Sequence, residues 1–365
     1  MKQLVLPGLA SLIGICLLSS WCISPAKAES SNADFESVFK DRGSSYILVF
    51  AYPSAAWLDW SSPSKLSRTS VQSTLAKRMF GLPSTIGHAQ FAWSCRQSDS
   101  SVVSQGASGQ SGENNGQSLA SLSAGWGMSI LEFVYNDGNL EFDKEVKQRI
   151  ASGAAGNQFS WAGFKVNHQS CMKLVNFVEK YQASGAYQNY GFPVDPLKYE
   201  GAGCTSYANA ALEVSEAPIP FREQWLRKYR IPHHLLGRQD KIPDHTLIVP
   251  NAKIPEHRLQ VPLTDFLLGD LQWAQANEPA IDFQYYDPEL FYESFLHLEN
   301  QYRQQQGLTP KPAVRTAQLD RFQLALKSTI DSWMQNLKQR QTPMELDTIA
   351  NQSGLIIDLR SEFTH

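Results

Sequence analysis

Charge is scarce in this chain. Only 18% of its 365 residues are Asp, Glu, Lys or Arg, below the share of about 25% usual for globular proteins, and the net charge of −3 is close to balance. With no basic stripe, there is nothing to neutralise a phosphate backbone, so nucleic acid is not an expected partner. After the first thirty residues no long apolar run recurs, and no membrane span is expected once that segment is removed. Metal-ligand spacing is missing too. His233, His234, His245 and His257 cluster without a cysteine or a His-x-x-x-His helix, so neither a metal nor any other cofactor is expected. The acids are scattered, and there is no internal repeat.

The N terminus, "MKQLVLPGLASLIGICLLSSWCISPAKAES", has a lysine, an apolar stretch and small residues at Ala26 and Ala28. That order reads as a secretory signal peptide over residues 1–28, cut after Ala28, giving a periplasmic or secreted protein. An uncleaved anchor over Leu4 to Ile23 is the competing reading. Cleavage removes Cys16 and Cys22 from the five cysteines and leaves Cys95, Cys171 and Cys204. In an oxidising compartment an odd count leaves one thiol over. A Cys95–Cys171 bridge would leave Cys204 free, and either alternative pairing would block it.

The most informative stretch is "YEGAGCTSYANAALE", Tyr199 to Glu213. Cys204, Tyr207, Ala208, Ala211 and Leu212 fall at i, i+3, i+4, i+7 and i+8, one apolar face of a helix. Gly201 and Gly203 give a flexible entry, while Pro218 and Pro220 stop the helix soon after. Cys204 therefore opens the first turn, where unpaired N–H groups and the positive end of the dipole favour a thiolate. A thiolate nucleophile needs a base, and imidazole titrates in the right range. His88 lies between Gly87 and Ala89 on an expected strand, Ser84 to Cys95, whose alternation sets His88 and Cys95 on opposite faces.

Other strands are expected at "SSYILVFAY" (Ser44 to Tyr52), at "GMSILEFVY" before a hairpin-type turn "NDGN" (Asn136 to Asn139), and at Phe159 to Val166. "HQSCMKLVNFVEKYQ" has helical spacing. The Ser- and Gly-rich residues 98–123 read as a flexible surface insertion. Residues 29–220 then form an α+β domain and 221–264 an extended connection that starts with a short helix. Residues 265–365 form a helical C-terminal region.

"IGHAQF" on an early strand, followed much later by "NYGFPVDPLKYEGAGCTSYANAAL", resembles the circularly permuted NlpC-type papain-like superfamily, which includes relatives of lecithin:retinol acyltransferase. The resemblance covers about residues 46–217. It implies an antiparallel papain-like sheet packed on a cysteine-bearing helix, with Cys204 as nucleophile and His88 as base. It also implies a third polar residue on the strand after the histidine, for which Ser129 and Glu132 are candidates. The activity implied is an exported cysteine hydrolase or acyltransferase acting on a cell-wall peptide or a lipid ester. The alternative is a non-catalytic envelope scaffold that uses the same fold to hold a partner.

Overall fold

The computed structural model describes residues 44–81, 84–112, 116–156, 158–237, 246–248, 260–311, 320–337, 341–346 and 352–360. The expected signal segment 1–28, His245, His257 and much of the expected connection lie outside them. In chain order the described strands are β1 (Ser45–Ser54), β2 (Ile86–Arg96), β3 (Val102–Ser111), β4 (Phe133–Tyr135), β5 (Asn139–Glu141), β6 (Ser160–Val166), β7 (Tyr190–Gly191), β8 (Leu226–Pro232), β9 (Thr246–Ile248), β10 (Ala280–Tyr286), β11 (Gln341–Leu346) and β12 (Gln352–Asp358). The helices are α1 (Pro63–Phe80), α2 (Gln117–Ser123), α3 (Asp143–Ala155), α4 (His168–Ser184), α5 (Cys204–Val214), α6 (Leu263–Leu268), α7 (Pro288–Gln305) and α8 (Arg321–Asn336). The fold is mixed α+β.

Seven strands form the main sheet in the order β11-β12-β6-β1-β2-β3-β5. All of its pairings are antiparallel except β12 with β6. Every residue of β1 is buried, because both faces of the sheet are covered and the strand can be apolar throughout. Ile47, Val49, Phe91 and Phe164 point into a core shared with α4, α5 and α7. Leu48, Phe50, Tyr52 and Trp161 point the other way, against Val146 and Ile150 of α3. This two-residue alternation is what sends His88 and Cys95 to opposite faces. Cys95 is joined to Cys171 of α4, with Cα atoms 5.5 Å apart at a sequence separation of 76. A loop of that length restricts the unfolded chain by about 4 kcal/mol in the chain-entropy treatment. Cys204 is free.

Several sequence expectations are corrected. Residues 98–123 are not a loose insertion: they supply β3, paired with both β2 and β5, and their last seven residues form α2. The small residues are needed because large neighbours lie across them. A Cβ at Gly106 would stand 2.8 Å from the Trp93 ring, and one at Gly109 would stand 2.8 Å from Glu141 Oε2. The polar composition hides a strand whose packing is supplied by its neighbours. The "NDGN" segment does not close a hairpin, since β4 pairs with β7 and β9 while β5 joins the main sheet. Met128–Glu132 of the expected third strand is a 3₁₀ turn, leaving only β4 extended.

The second half is also less separate than expected. Within the expected connection, Leu226–Pro232 is strand β8, paired with β10 rather than helical or unpaired. The C-terminal region is not purely helical. It contributes β10, β11 and β12, and Leu290, Phe295, Leu326 and Ile357 share the core with Ile47 and Tyr207. Pro343 is tolerated in β11 because that strand is at the sheet edge.

Gly106→Val tests the correction at β3. The added side chain has to displace Trp93, and the expected loss is about 1–3 kcal/mol, read as a lower urea midpoint at unchanged slope.

Candidate functional site

Cys204 is the first residue of α5, and its position follows from the loop before it. Gly201 adopts φ +136, and a Cβ there would fall 2.5 Å from the Asn189 carbonyl oxygen, so the chain can cross residues 189–191 only as glycine. Ala202 N–H donates to Asn189 O at 3.1 Å and Gly191 N–H donates to Ala202 O at 3.4 Å. At the helix entry the Ser206 hydroxyl accepts from Gly203 N–H at 2.9 Å. These bonds tie the strand carrying Tyr190 to the turn carrying the thiol.

His88 comes from β2. Gly87 before it has φ +87, and a Cβ there would meet Pro288 Cγ at 2.5 Å. The imidazole Nε2 is 2.8 Å from Glu141 Oε2, which leaves Nδ1 for the thiol. Gln90, two residues along the same face, donates from Nε2 to that Glu141 oxygen at 2.6 Å, and the Tyr52 hydroxyl donates to Gln90 Oε1 at 3.1 Å. The second Glu141 oxygen accepts from Arg149 of α3. Glu141 is therefore a buried carboxylate with three donors, two from strand β2 and one from helix α3.

These neighbours set the charges. Burial pushes the Glu141 carboxyl up, but the His88 and Arg149 cations outweigh it and hold the group far below the usual carboxylate range. For His88, burial and the Arg149 guanidinium favour the neutral ring. Glu141 and the Cys204 sulfur oppose them, and the balance is a raised pKa. Burial likewise pushes the Cys204 thiol up, yet the His88 charge and hydrogen bond, the Ala89 N–H and the Tyr190 hydroxyl bring it below its ordinary value. Tyr190 is pushed well up, first by burial and then by the sulfur, so it stays protonated and donates. Thiol and imidazole each shift the other toward its charged form, thiolate and imidazolium.

Of the expected site residues, Cys204 and His88 are brought together. Ser129 and Glu132 are not part of the group. The Ser129 hydroxyl donates to Gly237 O at 2.8 Å, and Glu132 belongs to a 3₁₀ turn where burial raises its carboxyl. The carboxylate that faces His88 is Glu141 instead. Sequence reasoning passed over it because β5 adjoins the site only through β3, a strand read as an insertion. Cys204 and His88 are each only 5% exposed, so the pair sits beneath the surface. Among the described residues no group of His, Cys, Asp and Glu has the arrangement of a metal site, and His234 lies against Glu278 at 3.3 Å. A broad groove of about 1270 Å³, lined by Trp60, Tyr229, Trp273 and Phe322, shares no residue with the Cys204 group. No helix among the described residues is long and apolar enough to cross a membrane. Comparison of the chain with family models, with curated proteins and with solved structures finds no match in any of the three.

Glu141→Gln removes a charge that raises the His88 pKa. The imidazolium is then lost at lower pH, the thiolate loses its partner, and the Cys204 pKa rises. Iodoacetamide alkylation followed across pH is expected to show a midpoint below that of an ordinary cysteine in the native protein. The midpoint should move upward in the variant; an unmoved one would separate Glu141 from the thiol.

Proposed function

We propose that the protein is an exported cysteine hydrolase or acyltransferase acting on an amide or ester carbonyl through a thioester at Cys204. The observation that carries this reading is the ordered pair itself: a free thiol at a helix N terminus, coupled to an imidazole whose far nitrogen is 2.8 Å from a buried carboxylate. The thiolate attacks the carbonyl carbon and the C=O electron pair moves to oxygen. Collapse of that adduct expels the amine or alkoxide, which takes the proton from His88. Water, or a second acceptor, then attacks the thioester with His88 as base and frees the sulfur. The N–H groups at the start of α5 and the protonated Tyr190 hydroxyl are the donors available to the developing oxyanion. Glu141 keeps the ring in the tautomer and orientation this cycle needs, and Gln90 and Arg149 hold Glu141. The bridged Cys95 and Cys171 suit the oxidising compartment that the N-terminal pattern implies. Cell-wall peptides and lipid esters are the substrate classes that fit this chemistry.

The second reading is an envelope scaffold that keeps the fold without turnover. The near-complete burial of both Cys204 and His88 favours it. A thiol-directed activity probe distinguishes the two. Selective labelling at Cys204 that disappears in His88→Ala supports the enzyme, whereas labelling no faster than that of the unfolded chain supports the scaffold.

Once a substrate is found by this route, Cys204→Ala is expected to lower kcat/KM by at least about a thousandfold. Tyr190→Phe should lower kcat by about a hundredfold, with KM little changed, if the hydroxyl serves the oxyanion. An effect of Tyr190→Phe on KM alone would assign that residue to binding.

A further inference from the structure

Helix α1 is packed the wrong way round for an ordinary surface helix. Its buried side is made of Ser64, Leu66, Ser67 and Ser73. Ser73 accepts from Ala56 N–H at 2.8 Å and donates to Thr85 O, so hydroxyls do the docking. The larger apolar side chains face out: Val71 is 38%, Leu75 53%, Met79 74% and Phe80 69% exposed. Val71, Leu75 and Met79 stand at i, i+4 and i+8, which is one continuous stripe. Ile86, two residues before His88, adds a further exposed side chain at 40%.

Charge says what this stripe meets. The helix carries Lys65, Arg68, Lys77 and Arg78 and no acid. Lys65 is 3.8 Å from Asp59, and Arg68 is held by the Leu267 and Gly269 carbonyls. That leaves Lys77 and Arg78 in the last turn, beside Met79 and Phe80. Burial and the nearby Arg149 guanidinium both act on Lys77 to lower its pKa, so the basic end of the helix borders the group that holds Glu141. The acid paired with this helix, Asp59, meets Lys65 in its first turn, at the opposite end from Lys77 and Arg78.

We propose that the outward stripe of α1, with Phe80 and Ile86, is a docking surface for an anionic phospholipid bilayer. Apolar side chains enter the boundary between headgroups and acyl chains, while flanking basic residues pair with lipid phosphates. Each such Lys or Arg is worth about fivefold in partitioning. A protein partner would present a mixed surface and would gain little from a helix without acids. The inference does not depend on Cys204 being catalytic.

The test uses the full chain carrying Cys16→Ser, Cys22→Ser and Cys204→Ser and an environment-sensitive fluorophore at Met79→Cys, with Lys180→Cys at an exposed position of α4 as control. The apolar N-terminal run can itself hold the chain on a vesicle, so the readout is the surroundings of residue 79 rather than binding. With phosphatidylglycerol–phosphatidylethanolamine vesicles, emission at 79 is expected to shift to the blue while that at 180 stays put. Phosphatidylcholine vesicles should need at least about tenfold more lipid, and Lys77→Glu with Arg78→Glu should cost a similar factor on the anionic vesicles. Four results would overturn the proposal: no shift at 79 on anionic vesicles, an equal response on neutral ones, a matching shift at 180, or a lipid-free shift that grows with protein concentration. The last would assign the stripe to a second copy of this chain.

Discussion

A single buried negative charge organises the candidate site. Glu141 is nearly inaccessible to water and answers to His88, Gln90 and Arg149 together. A carboxylate removed from solvent with its partners missing would be costly, by about 3–5 kcal/mol when one member of a buried pair is deleted. Strand β2 and helix α3, which supply those partners, are therefore tied to β5 and to each other. β3 must pair with both β2 and β5, its residues must be small enough to admit Trp93 and Glu141, and α3 must bring Arg149 across the open side. The thiol inherits its depressed pKa from this arrangement at one remove, through the imidazole.

The thiol's placement depends on the opposite face of the sheet. α5 packs its apolar side on the same core as α4 and α7, and the disulfide ties α4 to β2. Only the tip of α5 reaches the end of β2 where His88 stands. The histidine side and the cysteine side of the group are thus built on different cores and meet at one edge. This explains why the alternation of β2 could send His88 away from Cys95 and still present it to Cys204.

Much of the local structure was legible. The periodicity of residues 204–212 and 168–182 and the apolar content of residues 44–52 and 160–166 describe α5, α4, β1 and β6 well, because in each the residue's own side chain carries the burial. The odd cysteine count anticipated a free thiol. What was illegible shares one property: its burial comes from elsewhere. β3 is Ser and Gly because Trp93 and Tyr207 fill the space above it. β8 and β12 were read as helix or connection because their partners β10 and β6 are far away in sequence. α1 went unread because it buries serines and exposes Leu75 and Met79.

Residue type and spacing alone determined that this chain has a cysteine at the head of a helix, a histidine on an earlier strand, and a spare thiol if the other two pair. Those are short-range properties, set by helical and strand periods and by composition. Tertiary structure decided which carboxylate faces the histidine, because Glu141 reaches it only through a strand order that hydrogen-bonds β2 to β3 and β3 to β5. It also decided the charge on the thiol, since a pKa is the sum of burial and neighbouring charges that no single stretch of sequence contains.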